Sequence, residues 1–329
     1  MKLQWRIYND EDDDYSDDPD PSIVGSLAQV GALADINHVT QVHSLRDFAS
    51  DLAGDYPYQY TFIEPNYGDE PILGTSTYRG GSSQHPLDDM YGGEGLIKAV
   101  YETIRGSSLW SSSLLIITYD EHGGFYDSVQ PPGGVDVHAP NDGSENSPFN
   151  TVGFTFTQYG VRVPAVVISP WISSGVNHET YDHASVSATL SALFGTPSLT
   201  DRDLYAVDVL HLLDLAQPSE ETPSTLRSPY RTTNRDAFER RPVSEDDPLT
   251  DNESLHGFLG VALKTRLEIC ADDEAARQEH IAEVRAIRTL GQARRFLEET
   301  HTMIVAARES VSSPVRSSGD LVQAMGSAR

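Results

Sequence analysis

The sequence has a single cysteine, little lysine and no long apolar run. The one cysteine, Cys270, excludes an intramolecular disulfide. No stretch of about 18 apolar residues occurs, so the sequence predicts no transmembrane helix. A secretory signal needs a basic start followed by an apolar stretch, whereas here acidic residues begin at position 10. The sequence as written therefore predicts a protein that is not exported by that route and stays in the cytoplasm.

Negative charge dominates the chain. The formal net charge is −27, and lysine occurs only at positions 2, 98 and 264, so arginine carries most of the positive charge. A nucleic-acid partner needs a basic surface, and anionic membranes attract basic segments, so the charge disfavours both partners. Two explanations of the excess acid stay open: a surface adapted to concentrated salt, or a high-GC genome with a few acidic loops.

Strand and helix patterns alternate along the first part of the chain. Apolar runs that are typical of strands occur at Leu3–Tyr8, Gln59–Ile63, Leu114–Tyr119 and Val163–Ile168. Apolar stripes predict one helix that ends at Gly106 and another that Asp182 caps and Gly195 ends. An unbroken run such as Leu114–Tyr119 is typical of a parallel strand buried on both faces. The sequence therefore predicts an α/β fold with a mostly parallel sheet flanked by helices.

The character of the chain changes near Gln217. Residues 1–216 carry the α/β pattern, and residues 217–255 are rich in Pro, Ser, Thr, Glu and Arg without periodicity, which predicts a linker or an extended wrapping segment. Apolar stripes return in residues 256–310 and predict a small α-helical appendage. The serine-rich end, residues 311–329, is predicted to be disordered.

The stretch from Leu114 to Pro132 carries the most informative chemistry. The predicted strand ends in Asp120, Glu121 and His122, and two glycines follow. Ligands of open α/β sheets bind beyond the carboxyl ends of the strands, so two carboxylates and an imidazole delivered there indicate a cation site. The alternative is a capped strand end whose charges face solvent. The buried strand before the triplet and the double glycine after it favour the cation site.

The same stretch, ITYDEHGGFYDSVQPP, resembles a signature of the phosphoesterase family that includes bacterial phospholipases C and related acid phosphatases. Further motifs follow the order and spacing of that family: LQWRIYND, YTFIEPNYGD, QHPLDDMYGGEG, GVRVPAVVISPWISSG and YDHASVSATLSALFG. The resemblance covers roughly residues 1–205. It implies that residues 1–216 are the C-terminal part of a catalytic domain with an incomplete alkaline-phosphatase-like fold.

The resemblance also implies a mechanism and a set of site residues. In this family a Ser or Thr beside a metal attacks phosphorus, and water then hydrolyses the phospho-enzyme. The resemblance implies that Asp120 and Glu121 are ligands of a divalent metal ion, and their oxygens do not separate Ca²⁺, Mg²⁺, Mn²⁺ and Zn²⁺. It implies that His85, in a Gln-His-Pro turn, and His183, in an Asp-His-Ala-Ser motif, are catalytic residues near the phosphate. Without the resemblance, His85 would be interpreted as part of a surface turn and His183 as part of a helix cap.

The other candidates are predicted to have structural roles. Arg162, in GVRVP, is expected to make a salt bridge rather than to clamp phosphate. Eight further histidines, among them His38 and His211, show no metal spacing and are interpreted as structural or surface residues. His122 either orients a carboxylate or faces solvent.

One family motif does not occur in the sequence. Full-length relatives begin with a segment containing Glu-Asn-Arg-Ser-Phe-Asp, followed by the nucleophile, and no E-N-x-S-F-D pattern is found here. The expected function is a hydrolase of phosphoric ester bonds, of phospholipase C or phosphatase type, whose Ser or Thr nucleophile is missing and is supplied by an upstream segment or a separate chain. The alternative is an inactive truncated remnant or a binding module that retains a weak cation site. The substrate is a phosphate monoester or a phospholipid, which the sequence does not separate.

Overall fold

The computed structural model describes residues 3–11, 27–68, 81–86, 90–146, 148, 150–230, 244–249 and 253–312. Its strands are β1 (Trp5–Asn9), β2 (Val42–Ser44), β3 (Tyr60–Glu64), β4 (Leu115–Thr118) and β5 (Ala165–Ile168). Its α-helices are α1 (His38–Gln41), α2 (Phe48–Ala53), α3 (Tyr91–Gly106), α4 (Ala184–Phe194), α5 (Asp201–Tyr205), α6 (Glu253–Cys270), α7 (Glu274–Ala286) and α8 (Leu290–Ser312). None of these helices has both the length and the apolar character that crossing a membrane requires.

The chain divides into two compact units. The parallel unit comprises Gln4–Ala49, Pro57–Ile97 and Ser228–Arg329, and it contains β1, β2, β3 and the C-terminal helices. The antiparallel unit comprises Met1–Leu3, Ser50–Tyr56 and Lys98–Arg227, and it contains β4, β5, α4 and α5.

A three-stranded sheet in the order β2-β1-β3 forms the base of the parallel unit. Both outer strands run parallel to β1, and Ile7 of β1 lies opposite Val42 of β2 and Phe62 of β3. The strands predicted at Leu3–Tyr8 and Gln59–Ile63 are confirmed, with ends shifted by one or two residues. The parallel sheet and its flanking helices confirm the predicted α/β fold.

The C-terminal helices α6, α7 and α8 belong to the parallel unit, and their helical character was predicted. Apolar side chains of α6 and α8 form a core of this unit together with Leu27 and with Ile287, which follows α7. Arg266 of α6 is buried among them, 3.7 Å from the centre of the Phe296 ring. Its guanidinium donates to the Thr300 hydroxyl at 2.7 Å and to the Phe296 carbonyl at 2.6 Å. A buried cation is tolerated here because its donors have partners.

The antiparallel unit contains a pair of strands that the sequence analysis misjudged. Strands β4 and β5 pair antiparallel, with Leu115 opposite Ile168. The prediction that Leu114–Tyr119 is a parallel strand buried on both faces is wrong, because β4 is only half-buried and Val166 of β5 is 52% exposed. An apolar run indicates a preference for burial, whereas the direction of pairing depends on the path of the chain between the strands.

Helix α4 of the antiparallel unit begins differently from the prediction and ends as predicted. Its N-cap residue is His183, whose side chain makes no capping bond. The carboxylate of Asp182, predicted to be the cap, lies one residue earlier and accepts the Ala184 N–H at 2.8 Å. Gly195 ends the helix with a φ of 66°, which glycine adopts without strain, and its N–H donates to the Ser191 carbonyl.

Part of the predicted linker or wrapping segment, residues 217–255, lies along α3. The Tyr101 hydroxyl donates to the Pro223 carbonyl at 2.5 Å, and the Leu226 N–H donates to the Glu102 carboxylate at 2.7 Å. These two hydrogen bonds attach residues 223–226 to α3. Of the tail predicted to be disordered, residues 313–329 lie outside the described residues.

Candidate functional site

The Asp-Glu-His triplet lies just beyond the carboxyl end of β4. Asp120 Oδ1 accepts the Glu121 N–H at 2.9 Å, and a carboxylate oxygen of Glu121 accepts the N–H of Gly123. Gly123 and Gly124 have φ angles of 59° and 82°, a region in which a side chain would be strained. The chain therefore turns sharply here, and both carboxylates are exposed at the strand end where the sequence analysis expected them.

His183 lies beside this triplet. Its Nε2 is 2.8 Å from the carbonyl oxygen of Tyr119, the residue that precedes Asp120. A carbonyl oxygen only accepts hydrogen bonds, so Nε2 carries the proton and Nδ1 is left as an acceptor in the neutral ring. The start of α4 thus places an exposed imidazole against the residue that precedes the two predicted metal ligands, although about 60 residues of sequence separate the motifs.

Asp120 and Glu121 could provide part of a cation site. One oxygen of each carboxylate accepts a local N–H, which leaves Asp120 Oδ2 and Glu121 Oε1 for a ligand. Oxygen donors of this kind suit Ca²⁺, Mg²⁺ and Mn²⁺, but these ions take six or more ligands. Within the described ranges, no group of three or more His, Cys, Asp or Glu side chains is arranged to hold a metal ion. The two residues therefore fit as contributors to a cation site and do not complete one.

An ion pair holds the loop that carries His183. Asp182 and Arg202 of α5 form a salt bridge of 2.5 Å, and both side chains are largely shielded from solvent. Arg202 also donates to the Val137 carbonyl. The aspartate of the Asp-His-Ala-Ser motif therefore anchors the start of α4 instead of serving as its conventional cap.

Arg162 forms an ion pair with Asp127. The two charged groups are 2.5 Å apart, and hydrogen bonding to Arg162 holds the pKa of Asp127 below its usual value. The prediction of a structural salt bridge for Arg162 is confirmed.

His211 is the centre of a polar cluster that sequence reasoning did not identify. Its Nε2 is 2.8 Å from a carboxylate oxygen of Glu179 and 2.9 Å from the Tyr181 hydroxyl. Burial raises the pKa of Tyr181 to about 12, and the Glu179 carboxylate adds to the rise. The tyrosine is therefore a neutral hydrogen-bonding group at physiological pH. No motif surrounds His211, so the pattern of the sequence contained no signal for this cluster.

His85 belongs to the parallel unit, whereas Asp120, Glu121 and His183 belong to the antiparallel unit. The His85 ring is half-buried, and its Nδ1 lies 3.2 Å from the carbonyl oxygen of Pro86.

Buried hydrogen bonds fix the short segment that carries His85. The Ser82 hydroxyl donates to Asp10 Oδ2 at 2.6 Å and accepts the Asn66 N–H at 2.9 Å. Asp10 directly follows β1 and Asn66 is the second residue after β3, so the His85 segment is attached to the carboxyl end of the parallel sheet. This is the edge at which α/β sheets usually bind ligands.

Glu64, at the same edge, was not singled out from the sequence. It ends β3, is 3% exposed, and its carboxylate accepts the N–H groups of Gln29 and Val30. Burial raises the pKa of Glu64 to about 7, because the loss of water outweighs these hydrogen bonds. An acidic residue that directly follows an apolar strand was the available signal.

Comparisons with known proteins match the chain to one protein family and to several proteins named phospholipase C. The model of the Phosphoesterase family matches residues 1–197. Non-specific phospholipase C6 of Arabidopsis thaliana is 37% identical over 200 residues, which are 56% of this chain and 36% of the relative. Phospholipase C A of Mycobacterium tuberculosis is 29% identical over 200 residues, 56% of this chain and 34% of the relative. Non-hemolytic phospholipase C of Pseudomonas aeruginosa is 26% identical over 243 residues, 67% of this chain and 32% of the relative. The chain thus spans about a third of the length of these relatives.

Proposed function

Because the chain belongs to the Phosphoesterase family, we propose that it forms part of a site that hydrolyses phosphoric ester bonds, of phospholipase C or phosphatase type. The observation that carries the proposal is the exposed pair Asp120 and Glu121 at the end of β4, with His183 hydrogen-bonded to the preceding residue. A strand end that presents two carboxylates and an imidazole supplies ligands and a proton carrier at one place.

In this proposal Asp120 and Glu121 hold a divalent cation through the oxygens that local N–H groups leave open. Such a cation, when bound, neutralises negative charge on the phosphoryl oxygens. His183 acts through Nδ1, because its Nε2 proton is engaged by the Tyr119 carbonyl. Nδ1 accepts a proton in the neutral ring and donates to a phosphoryl oxygen once the ring is protonated. His85 is assigned the same class of role on the strength of its Gln-His-Pro motif.

The nucleophile of the site is proposed to lie in a segment outside the 329 residues. The family mechanism requires a Ser or Thr hydroxyl next to the cation, and the E-N-x-S-F-D motif that accompanies it does not occur in the sequence. We therefore assign the nucleophile to an upstream segment or a separate chain, and the acidic half of the site to Asp120 and Glu121. Relatives named phospholipase C favour a phospholipid diester over a phosphate monoester as substrate.

A second candidate function is a module that binds a cation without catalysis. It is favoured by the small number of ligands, since Asp120 and Glu121 provide two carboxylates and the described residues contain no group of three or more side chains that could hold a metal ion. Such a module would bind Ca²⁺ or Mn²⁺ weakly, because affinity rises with the number and charge of the ligands.

Cation binding and hydrolysis measured on the same proteins test the proposal. Calorimetry with Mn²⁺ and Ca²⁺, and release of nitrophenol from p-nitrophenyl phosphate and p-nitrophenyl phosphorylcholine, would compare the 329-residue chain with the variant Asp120→Asn/Glu121→Gln. The matched control is Glu220→Gln/Glu221→Gln, which neutralises another exposed, adjacent pair. Both assays would be repeated after addition of the part of a phospholipase C relative that carries E-N-x-S-F-D.

We expect cation binding by the chain and by the control, and its loss in the Asp120/Glu121 variant. We expect turnover after the complementing segment is added, and we expect the Asp120/Glu121 variant to reduce it about 100-fold or more. Mutation of residues that only hydrogen-bond to metal ligands already lowers metal affinity or activity by about 10–100-fold. Turnover by the chain alone would contradict the external nucleophile. Cation binding without turnover under any condition would support the binding module.

A further inference from the structure

Helix α6 is hydrogen-bonded to the segment of residues 27–41, hereafter the 27–41 segment. Lys264 Nζ donates to the Ile36 carbonyl at 2.6 Å, and Glu268 Oε2 accepts the His38 backbone N–H at 2.9 Å. Lys264 and Glu268 also form a salt bridge with each other. Leu27, at the start of the segment, is buried in the apolar core of α6 and α8. The segment is therefore fixed to the C-terminal helices by charged groups and by apolar packing.

The 27–41 segment in turn contacts the carboxylate of Glu64. The Gln29 and Val30 N–H groups both donate to that carboxylate, the latter at 3.0 Å. The His38 ring, which is fully buried, accepts the Ala28 N–H through Nε2 at 3.1 Å and so fixes the backbone just before these two donors. One connected path thus leads from Glu268 on α6 through His38 to the end of β3.

A second path leads from α6 to the segment that carries His85. The Tyr67 ring packs edge-on against Phe258 of α6, with 5.9 Å between ring centres. The preceding residue, Asn66, bonds through its backbone to Ser82, and the Ser82 hydroxyl bonds to the carboxylate at the end of β1.

Helix α8 contacts two parts of the same sheet through Arg308. Its guanidinium pairs with Glu11, two residues after β1, at 2.6 Å, and donates to the Val42 carbonyl at the start of β2 at 3.1 Å. The C-terminal helices therefore contact β2 directly, the residue Glu11 that follows β1, and Glu64 of β3 through the 27–41 segment.

The family match ends at residue 197, so it does not include these helices. We infer that α6 and α8 are a positioning element for the carboxyl edge of the parallel sheet, and that Glu268 is a positioning residue that holds the 27–41 segment against Glu64. The part of this role that concerns His85 rests on the proposed function. The part that concerns Glu64 stands on its contacts alone.

Loss of the Glu268 carboxylate has a local consequence under this inference. The His38 N–H loses its acceptor, the 27–41 segment loosens, and water reaches the Glu64 carboxylate, which favours its charged form. The helical bundle itself keeps its apolar core, because Glu268 is not part of it.

The experiment compares Glu268→Ala with Glu268→Gln and Glu279→Ala in the full chain. Glutamine keeps an acceptor oxygen for the His38 N–H, and Glu279 is an exposed glutamate on α7 that serves as the matched control. Amide hydrogen exchange by mass spectrometry would follow the 27–41 segment and α6 separately. Infrared spectra recorded against pH would follow the carboxyl band of Glu64, assigned by its loss in Glu64→Gln.

We expect Glu268→Ala to increase exchange in the 27–41 segment at least tenfold, to leave α6 protected, and to move the titration midpoint of Glu64 downward. Glu268→Gln should restore protection, and Glu279→Ala should match the unaltered chain. Unchanged exchange in Glu268→Ala, or equal loss of protection in the segment and in α6, would overturn the inference, since the second result indicates general destabilisation. Neither measurement uses hydrolysis, so failure of the proposed function is distinguishable from failure of this inference.

Discussion

Two buried titratable groups of the parallel unit, Glu64 and His38, change the stability in opposite directions as pH varies. Burial raises the pKa of Glu64 from 4.5 to about 7, against the effect of the hydrogen bonds from Val30 and Gln29. Burial lowers the pKa of His38 from 6.5 to about 3, and the positive charges of nearby Arg and Lys side chains lower it further. Replacing Glu64 by glutamine, which does not titrate, separates the two contributions.

The sign of each contribution follows from which state binds the proton more tightly. Folded Glu64 holds its proton to higher pH than the unfolded chain, so its contribution is complete below pH 4.5 and is lost as pH rises to about 7. Folded His38 binds its proton less tightly, so its contribution is complete above pH 6.5 and is lost as pH falls toward 3. Each group changes the unfolding free energy by about 1.4 kcal/mol per pH unit in its window. The two slopes cancel between pH 4.5 and 6.5.

Urea unfolding at half-unit pH steps between pH 4 and 8 measures the effect. We expect the difference in unfolding free energy between the unaltered chain and Glu64→Gln to fall across the Glu64 window by about 3 kcal/mol in total. Glu94→Gln, at an exposed position of α3, is the control that removes a carboxylate and leaves Glu64 in place. A difference for Glu64→Gln that is independent of pH would refute the reasoning, because it would mean that Glu64 titrates alike in the folded and unfolded states.

Two further substitutions test packing in the parallel unit by thermal or urea unfolding. A Cβ added at Gly31 would lie 2.4 Å from Cδ2 of buried His38, so Gly31→Ala should cost about 1–3 kcal/mol, whereas Gly54→Ala, with no atom closer than 3.5 Å, should cost less. Equal losses would contradict the steric argument. Arg266→Met should cost at least about 2 kcal/mol, because it removes buried charge-assisted hydrogen bonds and a cation–ring contact. Arg294→Met, at a half-exposed salt bridge of α8, should cost less than about 1 kcal/mol. A similar loss of stability in the Arg266 and Arg294 variants would show that burial of Arg266 does not add to the free energy of unfolding.

Much of the secondary structure was predictable because its signals are local. The glycines at 106 and 195 end helices α3 and α4, and the four apolar runs form strands. Such signals act within a turn or two of the chain, through backbone sterics and the spacing of apolar side chains. The division into residues 1–216, 217–255, 256–310 and 311–329 stays a prediction.

The candidate site was predictable only where motif and local structure coincide. Asp120 and Glu121 lie at a strand end followed by a glycine turn, as the sequence indicated, and their role as metal ligands stays a proposal. His183 was assigned from its motif, but its hydrogen bond to Tyr119 depends on how α4 packs and has no local signal. Glu64 was missed because a single acidic residue after a strand looks like a solvent-facing turn until its burial is known.

By itself the sequence determined the family, the α/β class and the positions of the strands and helix ends, because these depend on motifs, apolar spacing and backbone preferences within short stretches. Only the tertiary structure decided that β4 and β5 pair antiparallel, and that Glu268 accepts the N–H of His38 across 230 residues. Contacts of this kind depend on which distant surfaces bury the most apolar area together while their polar groups remain paired. That choice is made by the whole chain at once, and no local pattern of residues records it.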